Sequence, residues 1–243
     1  MVMSLVQTAL RAVYPPECLI CRAGVETEFG LCGSCWGQTP FLGGAVCDVC
    51  GVPQPGVAED GIKCDECLQF PRKWDRGRAA LSYADNGRSL VLALKHGDRY
   101  DVARTAGTWM ARAAEPLLTP NTLIVPVPLH WTRLAKRRYN QSALLAKSIS
   151  DTLGLPLSAD LLQRPQRTEN LYGKDYEKRK ETVDNAIRVN PRKRRRIAAG
   201  RPVLLVDDVL TSGATLNACA EALKASRAGE VSVIVLARAA RRT

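Results

Sequence analysis

The residues with the most chemistry in them lie near the carboxyl end, in Val203-Leu204-Leu205-Val206-Asp207-Asp208-Val209-Leu210-Thr211-Ser212-Gly213-Ala214-Thr215. An apolar run of strand character ends in two adjacent carboxylates, and a turn carrying hydroxyls and a glycine follows and opens a helix. Backbone N–H groups of such a turn, together with a helix N-terminus, form an anion site. Thr211, Ser212 and Thr215 add hydroxyl donors around a phosphate, and Gly213, with Ala214 beside it, permits close backbone approach. Asp207 and Asp208 fall at the carboxyl edge of the expected sheet, where open α/β folds bind ligands. There they can accept hydrogen bonds from ribose hydroxyls or assist Mg2+ binding. The plain alternative is an acidic N-cap without a ligand, but adjacent carboxylates at the end of an apolar strand are costly without a partner.

A second constellation lies at the other end. Eight of the nine cysteines form four C-x-x-C pairs, Cys18/Cys21, Cys32/Cys35, Cys47/Cys50 and Cys64/Cys67, all before residue 70. Zn2+ takes four soft ligands in a tetrahedron, and two such turns face to face supply them, so the eight predict two closed, structural sites of four cysteines each. Redox pairs would not need four copies, and iron–sulfur ligands are usually spaced differently. The gaps of ten, eleven and thirteen residues do not decide the wiring. Sequential pairing is preferred because each ribbon then closes a short loop, and interleaved pairing stays open. About seventy residues with few aromatics build little core, so the metal should supply most of this segment's folding free energy.

The elements that must position these groups follow from periodicity. Met1 to Pro16 has helical apolar spacing at Leu5, Val6, Ala9, Leu10 and Val13, too interrupted for a secretory segment, and reads as a short docking helix. Without such a signal the chain is expected to stay in the cytoplasm, with free thiols rather than disulfides. Beyond Phe70 to Trp74, strands are predicted at 79–83, 122–127, 202–206 and 231–236, and helices at 89–95, 102–118, 140–153 and 216–226. Apolar strands alternating with helices imply a doubly wound α/β fold with a mainly parallel sheet, here of five strands, preceded by the ribbons. The division is expected at residues 1–75 and 76–243.

Charge follows the same division. Residues 1–75 carry five Lys and Arg against nine Asp and Glu, whereas residues 76–243 carry thirty against fifteen. The basic part points to a polyanionic partner, nucleic acid or a phosphorylated substrate. No apolar window is long enough to span a membrane. Two local basic clusters stand out. Arg133, Lys136, Arg137 and Arg138 suit a pyrophosphate clamp, and Lys193, Arg194, Arg195 and Arg196 suit a single-stranded-DNA track; a solvated surface is the bland reading of each. Trp109 and Cys219 read as core, and His96 and His130 as lone histidines without a role.

The stretch Val203 to Thr215 resembles the 5-phosphoribosyl-1-diphosphate (PRPP) motif of type I phosphoribosyltransferases. With the four Cys pairs, Val125-Pro-Val-Pro128, Arg133, Arg137, Asn140 and Gln141, nearly the whole chain resembles the ComF competence family. That resemblance implies a zinc-ribbon head on a phosphoribosyltransferase domain, PRPP or another phosphoribosyl ligand, and a link to DNA handling in natural transformation with other competence proteins. It places Asp207 and Asp208 on the ribose and Thr211 to Thr215 on the phosphate. Lys95, Arg133, Arg137, Arg138 and Asn140 fall on the pyrophosphate and Mg2+ side. Arg138 stands where the family pattern carries glycine. Residues 164–185, with Arg164, Thr168, Asn170, Arg179 and Asn185, read as a hood over the ligand or a plain surface hairpin. Two functions fit: a Mg2+-dependent phosphoribosyltransferase, and a PRPP-sensing, single-stranded-DNA-binding protein with little or no turnover.

Overall fold

The computed structural model describes residues 14–96, 99–130, 134, 138–165, 187–198 and 200–239. The expected docking helix, Arg133, Lys136, Arg137 and residues 166–185 of the expected hood lie outside the described residues, as does the His96 side chain.

Strands β1 (Arg76–Ser82), β2 (Leu123–Pro126), β5 (Val203–Leu210) and β6 (Val231–Arg238) form one sheet in the order β1-β6-β5-β2. All its pairings are parallel. The near-continuous Val/Leu/Ile runs of β5 and β6 explain this, since a strand covered on both faces has no polar side to alternate. Five strands were expected and four form among the described residues. The place beyond β2 holds a single parallel bridge between Ile124 and Leu157. A two-residue antiparallel pair, β3 (Leu162–Gln163) and β4 (Arg188–Val189), flanks the region left undescribed.

Helices α1 (Gly33–Gly37) and α2 (Asp65–Gln69) belong to the ribbons. The remaining helices among the described residues are α3 (Asp85–His96), α4 (Tyr100–Ala114), α5 (Gln141–Leu153) and α6 (Ala214–Ala225). The expected helix 102–118 stops at Ala114 and passes into a 3-10 turn at Glu115–Leu117, because the ring of Pro116 cannot continue an α-helix.

Side chains of β5 divide the core in two. Val203 and Leu205 face a cluster with α6 residues Leu216, Cys219 and Leu223, and with Cys47, Cys50, Cys64, Cys67 and Trp74 of the second ribbon. Leu204 and Val206 face the opposite cluster with α3, α4 and α5, joined by Leu19 of the first ribbon and by the partly buried Phe29, Leu31 and Phe41. The two ribbons thus cover opposite faces of one sheet. Contact with the second is intimate: a Cβ at Gly77 would stand 2.4 Å from the Val49 carbonyl oxygen, and one at Gly51 would stand 2.7 Å from the Ala79 nitrogen. Asp48, inside the third C-x-x-C pair, accepts from Arg76 and Arg78 of β1. Burial pushes its carboxyl up, but the two guanidiniums outweigh this and hold it below the usual range.

Candidate functional site

In each ribbon the fold of a C-x-x-C turn points backbone amides at sulfur. Cys32 N–H donates to Cys18 Sγ at 3.4 Å, and Cys64 N–H to Cys47 Sγ at 3.3 Å. The thiols gather as Cys18/Cys21/Cys32/Cys35 and Cys47/Cys50/Cys64/Cys67, with the ligand atoms of each group within 4.8 Å of one another. Pairing is therefore sequential. The Cys21–Cys32 and Cys50–Cys64 sulfurs are 3.6 and 3.7 Å apart. A tetrahedral ion with Zn–S bonds of ~2.3 Å needs sulfurs about 3.8 Å apart, so both quartets fit zinc. Burial pushes the Cys18 thiol up, but amide donors from Cys32, Cys21 and Ile20 outweigh it and bring it down to about 6. In the second quartet, hydrogen bonds from Cys50 and Cys67 draw Cys47 down, while the same bond drives Cys50 up to about 11. A soft cation binds such thiolates and replaces the protons on the neighbouring thiols. Cys219 is fully buried in the core on α6, apart from both quartets.

At the other site the strand runs further than expected. β5 continues through the acid pair to Leu210, with Asp207 opposite Val235 of β6. Asp207 and Asp208 thus lie within the strand and close to its carboxyl end. The turn Thr211 to Gly213 follows, and α6 begins at Ala214, two residues earlier than its periodicity indicated. Gly213 adopts φ +79°, a left-handed conformation that favours glycine, and no side chain caps the helix behind it. The first amides of α6 consequently open toward the turn.

Asp207 accepts from the Ser142 hydroxyl at 2.8 Å and from the Asp208 amide at 2.9 Å. Asp208, 9% exposed, pairs with Lys95 Nζ at 3.3 Å. Burial and the adjacent Asp208 charge raise the Asp207 carboxyl to about 7, against the Ser142 and amide hydrogen bonds that favour its ionised form. Near neutral pH the pair can therefore hold one carboxylate tied to a lysine and one carboxyl poised to lose its proton. That arrangement can accept hydrogen bonds from a diol while the turn and helix end receive an anion.

The other expected site residues are distributed as follows. Lys95 reaches the acid pair from the last turn of α3. Asn140 caps α5, accepting from the Ser142 amide and donating to the Val127 carbonyl, so it fastens the end of β2 to the helix that carries Ser142. Arg138 has φ +64°. The backbone keeps the conformation of the absent glycine, at a cost of roughly 1 kcal/mol for an L-residue. Arg138→Gly should accordingly raise stability by about 1 kcal/mol, a gain of roughly 2–4 °C in a chain of this size, read by calorimetric melting. Lys193 to Arg196 occupy the 3-10 turn Pro191–Ile197 that leads into the amino end of β5. Lys193 pairs with Asp160, Arg196 donates to the Leu157 carbonyl, and Arg194 and Arg195 are exposed. At ~3.3 Å per residue, the strand between puts this cluster roughly 25 Å from the Thr211 turn. Ser142 went unnoticed in the sequence. Its signal was positional: β2 neighbours β5 in a parallel sheet, so the helix entered from β2 must start beside the acid pair.

Residues 9–68 match the family described as double zinc ribbon domain, and residues 126–243 match the phosphoribosyl transferase domain. The chain is thus a double zinc ribbon joined to a phosphoribosyltransferase domain. It is 29% identical to competence protein F of Haemophilus influenzae over 230 residues, covering 92% of this chain and 97% of that one. Identity to the DNA utilization protein YhgH of Escherichia coli is 29% over 231 residues with the same coverage, and to competence protein ComFC of Bacillus subtilis 24% over 219 residues, covering 86% and 84%. Both domains stand in this order, and the relatives named competence protein F and ComFC are matched across most of their own length and of this chain. Among solved structures, the glutamine PRPP amidotransferase from B. subtilis aligns with 17% identity and a TM-score of 0.40 over 60% of this chain and 30% of its own. No helix among the described residues is long and apolar enough to cross a membrane.

Proposed function

We propose that this chain binds PRPP with Mg2+ at the carboxyl edge of its sheet and works in the handling of DNA during uptake, in the cytoplasm. One observation carries the reading: an acid pair near the carboxyl end of a buried strand, with a left-handed glycine turn and an uncapped helix directly after that strand. In this reading Asp207 and Asp208 take the ribose hydroxyls, and Thr211 to Thr215 take the 5-phosphate through backbone amides and hydroxyls. Lys95, Arg133, Arg137, Arg138 and Asn140 form the pyrophosphate side. The oxygen donors present suit a hard cation, and Mg2+ would neutralise charge on the departing pyrophosphate. Residues 76–243 carry this chemistry, and residues 1–75 are its metal-built head.

The pH dependence follows from Asp207. Its folded-state value is raised to about 7 from an ordinary 3.8, so the folded chain keeps a proton that the unfolded chain has released between those two values. Stability from this group therefore falls as pH rises through that window, and the ionised acceptor appears only toward its top. PRPP affinity should rise between pH 6 and 8, and Ser142→Ala, which removes the hydroxyl favouring ionisation, should move the midpoint upward. Calorimetric titrations across that range check both, and a midpoint unmoved by Ser142→Ala would contradict the assignment.

Turnover is tested by incubating zinc-loaded protein with PRPP, Mg2+ and a panel of nucleobases, with and without single-stranded DNA, and measuring pyrophosphate. Release dependent on one acceptor makes the chain a transferase. Tight PRPP binding without release favours the second reading, a PRPP sensor that handles DNA. The exposed Arg194 and Arg195, far from the phosphate turn, support that reading, because DNA and PRPP would occupy different ends of the sheet. Single-stranded DNA affinity should then fall with salt at a log–log slope near −0.7 per phosphate contacted. Replacing Arg194, Arg195 and Arg196 by alanine should flatten that slope by up to about two units, and an unchanged slope would place the DNA elsewhere.

A further inference from the structure

Behind the phosphate turn, on the side of the second ribbon, lie two buried guanidiniums and one carboxylate. The Arg238 and Arg72 side chains are 1% and 4% exposed, and both pair with Glu66, at 2.7 and 2.6 Å. Arg238 Nη1 donates to the carbonyls of Leu210 and Thr211, each at 3.2 Å. Arg72 Nη1 donates to the carbonyl of Ser212 at 2.6 Å. Three successive carbonyls of the turn are thus held from one side. Because C=O and N–H point in opposite directions across a planar trans peptide, fixing the Thr211 and Ser212 carbonyls inward aims the Ser212 and Gly213 amides the other way.

The support for this arrangement comes from the metal site. Glu66 lies on the five-residue helix α2, between the sulfur ligands Cys64 and Cys67. Too short to persist alone, that helix is fixed by the two cysteines that flank Glu66. The segment that follows makes further contacts: the Lys73 amide donates to Asn217 of α6, and Trp74 donates to the Val49 carbonyl inside the ribbon. A Cβ at Gly213 would stand 2.8 Å from the Trp74 ring and 3.1 Å from Arg72 Nη1.

We propose that the second ribbon is a brace for the phosphate turn: Glu66 holds Arg72 and Arg238, these fix the carbonyls of residues 210–212, and the integrity of the Cys47/Cys50/Cys64/Cys67 site thereby sets the affinity for PRPP. Glu66, Arg72 and Arg238 are positioning residues, since the arginines contact the turn's own backbone and Glu66 contacts the arginines. The first ribbon, on the opposite face of the sheet, has no such connection among the described residues. Coupling of this kind is reciprocal, so PRPP must raise the zinc affinity of the second site by the same factor by which that zinc strengthens PRPP binding. The part concerning PRPP rests on the function proposed above, whereas the brace itself does not.

Full-length, zinc-loaded Glu66→Gln and Arg72→Lys would be compared with wild type. Glu17→Gln, which removes an exposed ion pair of the first ribbon, is the control. Each variant is first checked for its full zinc content. Amide exchange across residues 210–216 in the ligand-free proteins should quicken about tenfold in the first two variants and stay unchanged in the control, as expected for loss of a charged hydrogen bond. PRPP affinity should fall by a similar factor, and PRPP should slow transfer of one zinc, not both, to a colorimetric chelator. Unchanged exchange in both Glu66→Gln and Arg72→Lys would overturn the brace. Faster exchange in a protein whose wild type binds no PRPP would uphold the brace and reject the functional reading instead.

Discussion

Stripping both zinc ions is expected to unfold the entire chain rather than its first seventy residues. The ribbons are not appendages: Cys47, Cys50, Cys64 and Cys67 share a buried cluster with Leu205, Val233 and Leu223, and Leu19 completes the cluster on the other face. A structural zinc contributes about 10–16 kcal/mol in isolated ribbons near neutral pH, against a net stability of roughly 5–15 kcal/mol for a whole domain. Loss of either site exposes one face of the sheet as well as the ribbon. Calorimetry and circular dichroism of the chelated full-length chain should show the helix and sheet signal lost, or the melting temperature lowered by more than ~10 °C. Metal analysis should return two zinc ions per chain in wild type and in Cys219→Ser. A metal-free chain that melts as wild type does, or a zinc content changed by Cys219→Ser, would show that the ribbons do not build the core in this way.

Asp207→Asn combined with Asp208→Asn is expected to abolish PRPP binding and leave the fold intact. Asparagine keeps the shape of aspartate, the Ser142 hydroxyl still finds a carbonyl acceptor, and the repulsion that raises Asp207 disappears. Lys95, its side chain 22% exposed, can turn to solvent once its partner is neutral. The ligand loses two charged acceptors, each worth about 1.5–3 kcal/mol, which together weaken affinity roughly a hundredfold or more. Wild type in PRPP at about a hundred times its dissociation constant should gain ~2.7 kcal/mol of stability, and the double variant should gain nothing measurable. Equal thermal stabilisation of the two proteins by PRPP would remove the acid pair from the site.

What could be read in advance was local. β5 and β6 declare themselves by unbroken apolar runs, the acid pair and glycine turn by residue type, and sequential zinc wiring by short loop closure. Element ends were less legible, because tertiary pairing decided them: β5 runs on past Val206 only because β6 stays beside it to Arg238. The strand at 122–127 gave no hint that its outer neighbour would shrink to one bridge at Leu157. Contacts across the chain were invisible. Arg238 meets Glu66 at a separation of 172 positions, and Arg72 meets Ser212 at a separation of 140. An acidic residue inside a metal-binding pair reads as surface charge until the fold lays α2 against the phosphate turn.

Binding of PRPP is tested most directly by a calorimetric titration of Mg2+ and PRPP into the zinc-loaded, full-length protein near pH 7.5. Saturable binding is expected at one site per chain, weakened when Mg2+ is withheld and lost in the double aspartate variant. Absence of heat, together with phosphorus NMR signals of PRPP left unperturbed by stoichiometric protein at millimolar concentration, would contradict it.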